Sequence, residues 1–284
     1  MTAGAATQPQ TSVFTAPAGS HTINAIRELY RQRVDLLNAE GTLTRQIRAI
    51  CRRAVGCTPD DPPKLAAEKL KAADALYTQL TAKNGSVLVP IMAKAVGPLT
   101  AARNGISAEL TAIEKLMNKQ AVQLPVYESF VVPLKGFSAL GLAKIVGEAG
   151  DLGQYANPAK LWKRMGMAVI GGERQRKCTD ATKAAAHGYN PRRRAVMFVI
   201  GDTLLRQKNA MKDLYDARKL IEIAKAEAEG LIVAPSAKIP AGKAAQYRSQ
   251  GHIHNRACRY VQKRLLRDLW RAWRHQIGDP LPTA

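Results

Sequence analysis

Apolar positions recur along the first third of the chain with helical spacing. Ile23, Ile26, Leu29, Tyr30, Val34, Leu37, Leu43, Ile47 and Ile50 form one stripe, opposite Arg27, Arg31, Arg33, Arg45 and Arg48. This predicts a long amphipathic helix from Thr22, with Gly41 loosening its middle. The run Pro59-Asp60-Asp61-Pro62-Pro63 breaks the pattern, and helical spacing resumes over residues 64–82. A third helix is predicted over residues 100–120, with Leu110, Ile113, Leu116 and Met117 on its apolar side. Long striped helices joined by short breaks predict a helical arm or coiled coil over residues 21–122, which could serve for homo-oligomerisation. Residues 1–20 are largely Thr, Ala, Gln, Pro and Gly, a composition that predicts a disordered tail.

Residues 123–229 carry denser punctuation. Residues 132–150 read as a short helix, a tight hairpin at Lys135-Gly136-Phe137-Ser138, and a second helix from Ala139. Gly136 supplies the positive φ such a corner needs. The second helix would present early backbone N–H groups beside Lys135, with Ser138 to cap it or to meet a phosphate. A plain helix-turn-helix corner without a ligand is the alternative. Asn157-Pro158 and Asn190-Pro191 each read as an N-cap followed by proline at the first helical position. Between them lies a charged Gly-Gly loop, residues 171–180, carrying Arg174, Arg176 and Lys177. Arg192, Arg193 and Arg194 occupy the first turn of the helix that follows, where the dipole disfavours cations. A bound phosphate would offset that penalty; a solvated basic cap is the alternative.

Residues 230–246, with Pro235 and Pro240, read as a linker. Residues 247–284 form the last segment, a helix to about residue 275 and a tail. Arg256, Arg259, Lys263, Arg267, Arg271 and Arg274 are spaced 3, 4, 4, 4 and 3, placing them on one face. Ile253, Ala257, Val261, Leu265, Leu269 and Trp273 follow on a neighbouring face at intervals of four. Successive cations lie about 6 Å apart along the axis, near the phosphate spacing of one strand. The fold class predicted is all-α: an arm, then a helical domain with a helix-hairpin-helix element.

Charge narrows the partner. The chain holds 43 Lys+Arg against 22 Asp+Glu, a formal net charge of +21. Such an excess points to an anionic partner, a nucleic acid first, with a membrane surface as the rival. No membrane partner is expected, since the best apolar run, residues 87–99, is interrupted by Pro90 and Lys94. The opening residues lack the charged start and apolar core of a secretory signal, which predicts a cytoplasmic protein. Cys51, Cys57, Cys178 and Cys258 form no C-x-x-C pair. His254 and Cys258 share a helical face, but a third ligand is lacking, so neither metal nor cofactor is assigned. Trp162, Trp270 and Trp273 fall on helical stripes and read as core.

The order of Gly136-Phe137-Ser138, Glu148-Ala149-Gly150-Asp151, Tyr155, Lys160-Leu161, Gly166-Met167-Ala168 and Asn190 before an arginine run is a known succession. It resembles the C-terminal helical domain of insertion-sequence transposases of the DEDD/serine type, the RNA-guided bridge recombinases. The resemblance covers residues 132–202, and more loosely the arm and last helix. It implies a part in DNA transposition or recombination, with a guide RNA as a further partner. Two departures matter. The RuvC-like nuclease domain of that family has no counterpart in the helical first 120 residues. The family's nucleophilic loop serine is also missing, since no serine occurs between Ser138 and Ser236. Cys178, Thr179 and Thr182 are the loop's only nucleophile-like side chains. The expectation is therefore a DNA-binding protein of transposase type with no catalytic residues of its own. An active subunit completed in trans, which would use Cys178 or Thr179, and an RNA-binding scaffold are the alternatives.

Overall fold

The computed structural model describes residues 20–82 and 90–278. The predicted tail lies outside them, apart from Ser20. Three long helices open the fold: α1 (Ser20–Ala54), α2 (Pro63–Thr81) and α3 (Pro90–Val122). At 35 residues, α1 is about 52 Å long. Ile23, Ile26, Tyr30 and Val34 share a core with Ile113, Met117 and Ala121 at the far end of α3. Ile47 and Cys51 instead pack with Ala73 of α2 and Val96 of α3. α1 and α3 therefore run antiparallel, with α2 laid against their distal end. The third helix begins ten residues before its expected start, because Pro98 sits inside it rather than ending it.

After α3 the chain makes a five-residue π-helical turn (Tyr127–Val131); residues 132–134, where a short helix was expected, are turn and bend leading into the hairpin, and α4 (Ala139–Ala149) follows. α5 (Pro158–Arg164) follows, then the two-stranded ribbon β1 (Val169–Ile170) and β2 (Glu173–Arg174). α6 (Ala181–His187), α7 (Pro191–Leu205) and α8 (Ala210–Ala228) complete the middle of the chain. The caps form as the sequence predicts. Asn157 Oδ1 accepts from the Lys160 N–H, and Asn190 Oδ1 accepts from the N–H groups of Arg192 and Arg193.

The expected linker is more ordered than its composition suggests. β3 (Ile232–Ala234) pairs in parallel with β4 (Tyr247–Ser249), so the intervening residues close into a loop. Ser249 then caps α9 (Gln250–Gln276) by accepting from the His252 N–H at 3.1 Å. The fold is all-α, its strands two or three residues long among the described residues. One core joins the base of the arm to α4, α7 and α9: Ile26, Met117, Leu142, Met197, Leu265 and Trp270 belong to it together.

Candidate nucleic-acid interface

The hairpin has the predicted corner, turned inward. Gly136 has φ +89°, and a Cβ there would lie 2.9 Å from Thr203 O and 3.2 Å from Leu204 Cα of α7. The neighbouring Lys135 carbonyl accepts from Asn209 Nδ2 at 2.7 Å. Ser138 Oγ accepts from the Gly141 N–H at 3.1 Å, which is the capping use. Gly136 is thus a packing glycine seated on the end of α7 rather than a cradle for phosphate. Of the hairpin residues singled out from sequence, Lys135 and Ser138 keep exposed side chains. Gly136→Ala is expected to cost about 1–3 kcal/mol of stability through strain at positive φ and the clash with α7. Urea denaturation that found no loss would unseat the hairpin from α7.

The arginine run of α7 is also divided. Arg192 Nε and Arg193 Nε donate to the two carboxylate oxygens of Glu148, at 2.8 and 3.1 Å. The Tyr30 hydroxyl donates to the same carboxylate at 2.8 Å. Glu148 is 3% exposed at its side chain. Burial alone would raise this carboxyl; the bonds from Arg192, Tyr30 and Arg193 with the Arg192 charge outweigh it and hold the group below the ordinary carboxylate range. Arg192 and Arg193 therefore lock α7 to α4 and the arm through their Nε groups. Arg194 points elsewhere, donating from Nη1 to Gln262 Oε1 at 3.1 Å and to Met167 Sδ.

α9 is a central helix, and this alters the reading of its basic face. The apolar stripe is buried as expected, but Gln262, Leu266 and Trp270 are buried too. Cations emerge at its margins, several already engaged. Arg256 Nε pairs with the buried Glu222 at 2.5 Å, and Arg267 pairs with Asp268 at 2.6 Å. The Arg274 guanidinium lies 5.1 Å from the centre of the Trp270 ring. Arg271 is exposed.

What remains is a cationic floor built from three elements. Arg174 of β2, Arg194 of α7, and Arg259 and Lys263 of α9 lie close enough for their charges to act on one another. Burial and then the Arg259 charge pull Arg194 down to about 10. Burial, Arg174 and Arg256 lower Arg259; burial, Arg259 and Arg194 lower Lys263. No ion pair among the described residues involves any of these four side chains. Lys263 Nζ rests 4.9 Å from the centre of the Trp162 ring, which positions the ammonium without neutralising it.

The loop carrying Arg174 is pinned by a residue that sequence reasoning passed over. Gln175 is 5% exposed. Its Nε2 donates to Lys163 O at 2.9 Å and to His187 O at 2.5 Å, and its Oε1 accepts from the Ala168 N–H at 3.2 Å. Gln262 was passed over as well, and Glu148 entered only through the order of motifs, not as the acceptor it is. Arg176 pairs with Glu173 at 3.0 Å and Lys177 is exposed, both on the same loop.

The Cys178 thiol meets Arg176 O at 3.5 Å, and among the described residues no hydrogen bond joins it to a histidine or a carboxylate. The Cys258 thiol lies 3.4 Å from His254 Nε2 and is pushed up to about 11 by burial and the Asp202 charge, which keeps it protonated. Among the described residues no three His, Cys, Asp or Glu side chains are grouped to hold a metal ion, and no helix is long and apolar enough to cross a membrane. Compared with protein-family models, curated proteins and solved structures, the chain matches none.

Proposed function

We propose that this chain is a DNA-binding protein that grips the phosphate backbone through the Arg174, Arg194, Arg259 and Lys263 floor. The observation that carries this reading is that, among the described residues, none of these four cations is paired with a carboxylate. Like charges held together raise the free energy of the unliganded protein, and a polyanion relieves that repulsion. The net charge of +21 adds long-range attraction to the same partner. Backbone contacts position a protein without reading bases, so little sequence preference accompanies this binding. The resemblance of residues 132–202 to insertion-sequence transposases makes transposition or recombination the process in which we place it, without strand cleavage by this chain itself. A cytoplasmic, reducing compartment fits four cysteines that are all free.

The test is a binding titration on labelled duplex and supercoiled plasmid across a salt series. The double change Arg259→Gln with Lys263→Gln should flatten the slope of log K against log salt by about 2 if each residue meets a phosphate. Arg174→Gln, on an exposed strand, should remove about 1 more without disturbing the core. An unchanged slope in all variants would remove the floor from the interface. Tighter binding to structured RNA than to duplex at equal salt would replace DNA as the partner.

A further inference from the structure

A second positive space lies at the base of the arm, apart from the α9 floor. A cleft of about 350 Å³ opens between α1, α4, α5 and α7. Arg27, Arg164, Arg192 and Arg193 line it, facing the carboxylates of Glu148 and Asp35. Arg31 also reaches its rim but is paired with Glu28 at 3.3 Å. Without that pair, four arginines oppose two carboxylates, an excess of two positive charges.

The donors are held ready. Arg192 and Arg193 use Nε on the Glu148 carboxylate, and Arg164 uses Nε on the Glu148 carbonyl at 2.9 Å. A guanidinium carries further N–H donors beyond Nε, so three cleft-lining arginines anchored by one buried residue retain donors for another partner. Anchoring of this kind lowers the ordering cost of binding, and planar forks suit bidentate contact with an oxyanion. Arg27, on the α1 side, has no hydrogen bond or ion pair among the described residues.

We propose that this cleft binds a phosphate monoester, the doubly charged group at the end of a nucleic-acid strand. The excess of two charges matches a dianion better than the single charge of an internal phosphodiester. Size agrees: a cleft of some 350 Å³ takes an end group with its sugar, whereas an internal phosphate is flanked by chain on both sides. As a strand-end site the cleft rests on the nucleic-acid reading; as a phosphate site it stands without it.

The experiment uses the full chain and two probes. Thermal denaturation is followed with inorganic phosphate against chloride at equal ionic strength. Binding is measured for a short single strand with a 5′-phosphate and for the same strand with a 5′-hydroxyl. Phosphate should raise the unfolding midpoint, and the 5′-phosphate should tighten strand binding about tenfold. Arg27→Gln should abolish most of both gains while leaving the 5′-hydroxyl strand bound as before. The Arg259→Gln, Lys263→Gln protein should keep the tenfold ratio even as its overall affinity falls. If inorganic phosphate stabilises but no strand binds at all, the phosphate site stands and the nucleic-acid reading fails. A gain from neither probe, or gains that survive Arg27→Gln, would overturn the proposal.

Discussion

Glu148→Ala is expected to destabilise the protein by about 3–5 kcal/mol, the range for removing one partner from a buried ion pair. The carboxylate accepts from Tyr30, Arg192 and Arg193 at once, so its loss leaves two guanidinium groups and a buried hydroxyl without an acceptor. Arg192 is 49% exposed at its side chain and can turn to water; Arg193 is 19% exposed and cannot do so without moving α7. The expected value therefore lies at the lower end of that range. Glu148→Gln keeps one acceptor and the side-chain volume, and should cost less. The same residue sets an acid limit. Its folded carboxyl lies below the ordinary value, so its stabilisation is complete above the unfolded value of about 4.3 and is lost as pH falls through the folded value. Urea midpoints at pH 7 and in the acid range should converge for the native protein and Glu148→Gln as pH drops. A loss under about 1 kcal/mol at pH 7 would mean that both arginines find solvent and that the lock is weak.

Local signals were read well, and long-range partners were not. The α1 stripe and the α9 stripe at intervals of four are consequences of helical period; the α9 stripe is buried throughout, whereas the α1 stripe is buried at Ile23, Ile26, Tyr30, Val34 and Ile47 but leaves Leu37 exposed. Asn157, Asn190 and Ser138 cap helices because their acceptors reach N–H groups two or three residues on, a strictly local geometry. Glu148 lies 44 residues from Arg192 and 118 from Tyr30, and no periodicity reports such a meeting. The arginine run therefore read as one unit, although two of its members face a buried carboxylate and the third faces α9. The loop through 230–246 shows the same limit: its order comes from pairing between Ile232 and Tyr247, not from its Pro- and Ala-rich composition. The α9 cations were identified by spacing, but spacing does not show which of them already have an acid. Glu222, on α8, removes Arg256 from the free set, while Arg259 and Lys263 are left to form the floor.

Trp270→Ala is expected to be as damaging as the loss of Glu148, at about 3–5 kcal/mol for a buried aromatic reduced to a methyl. The ring is 2% exposed and its indole N–H donates to Tyr155 O at 2.8 Å. Trp270→Phe separates packing from that bond. It retains most of the apolar contact, and Tyr155 O still accepts from Arg274 Nη1 at 3.4 Å, so a loss of about 1–2 kcal/mol is expected. The pair of variants also tests what α9 is for. A ring this enclosed offers no face to a nucleic-acid base, so Trp270→Phe should leave the salt slope of DNA binding unchanged. Its role is to fix the helix that carries Arg259 and Lys263, and stability and affinity should fall together in Trp270→Ala. Weakened binding in Trp270→Phe at unchanged stability would make the indole a contact surface and would require α9 to open toward its ligand.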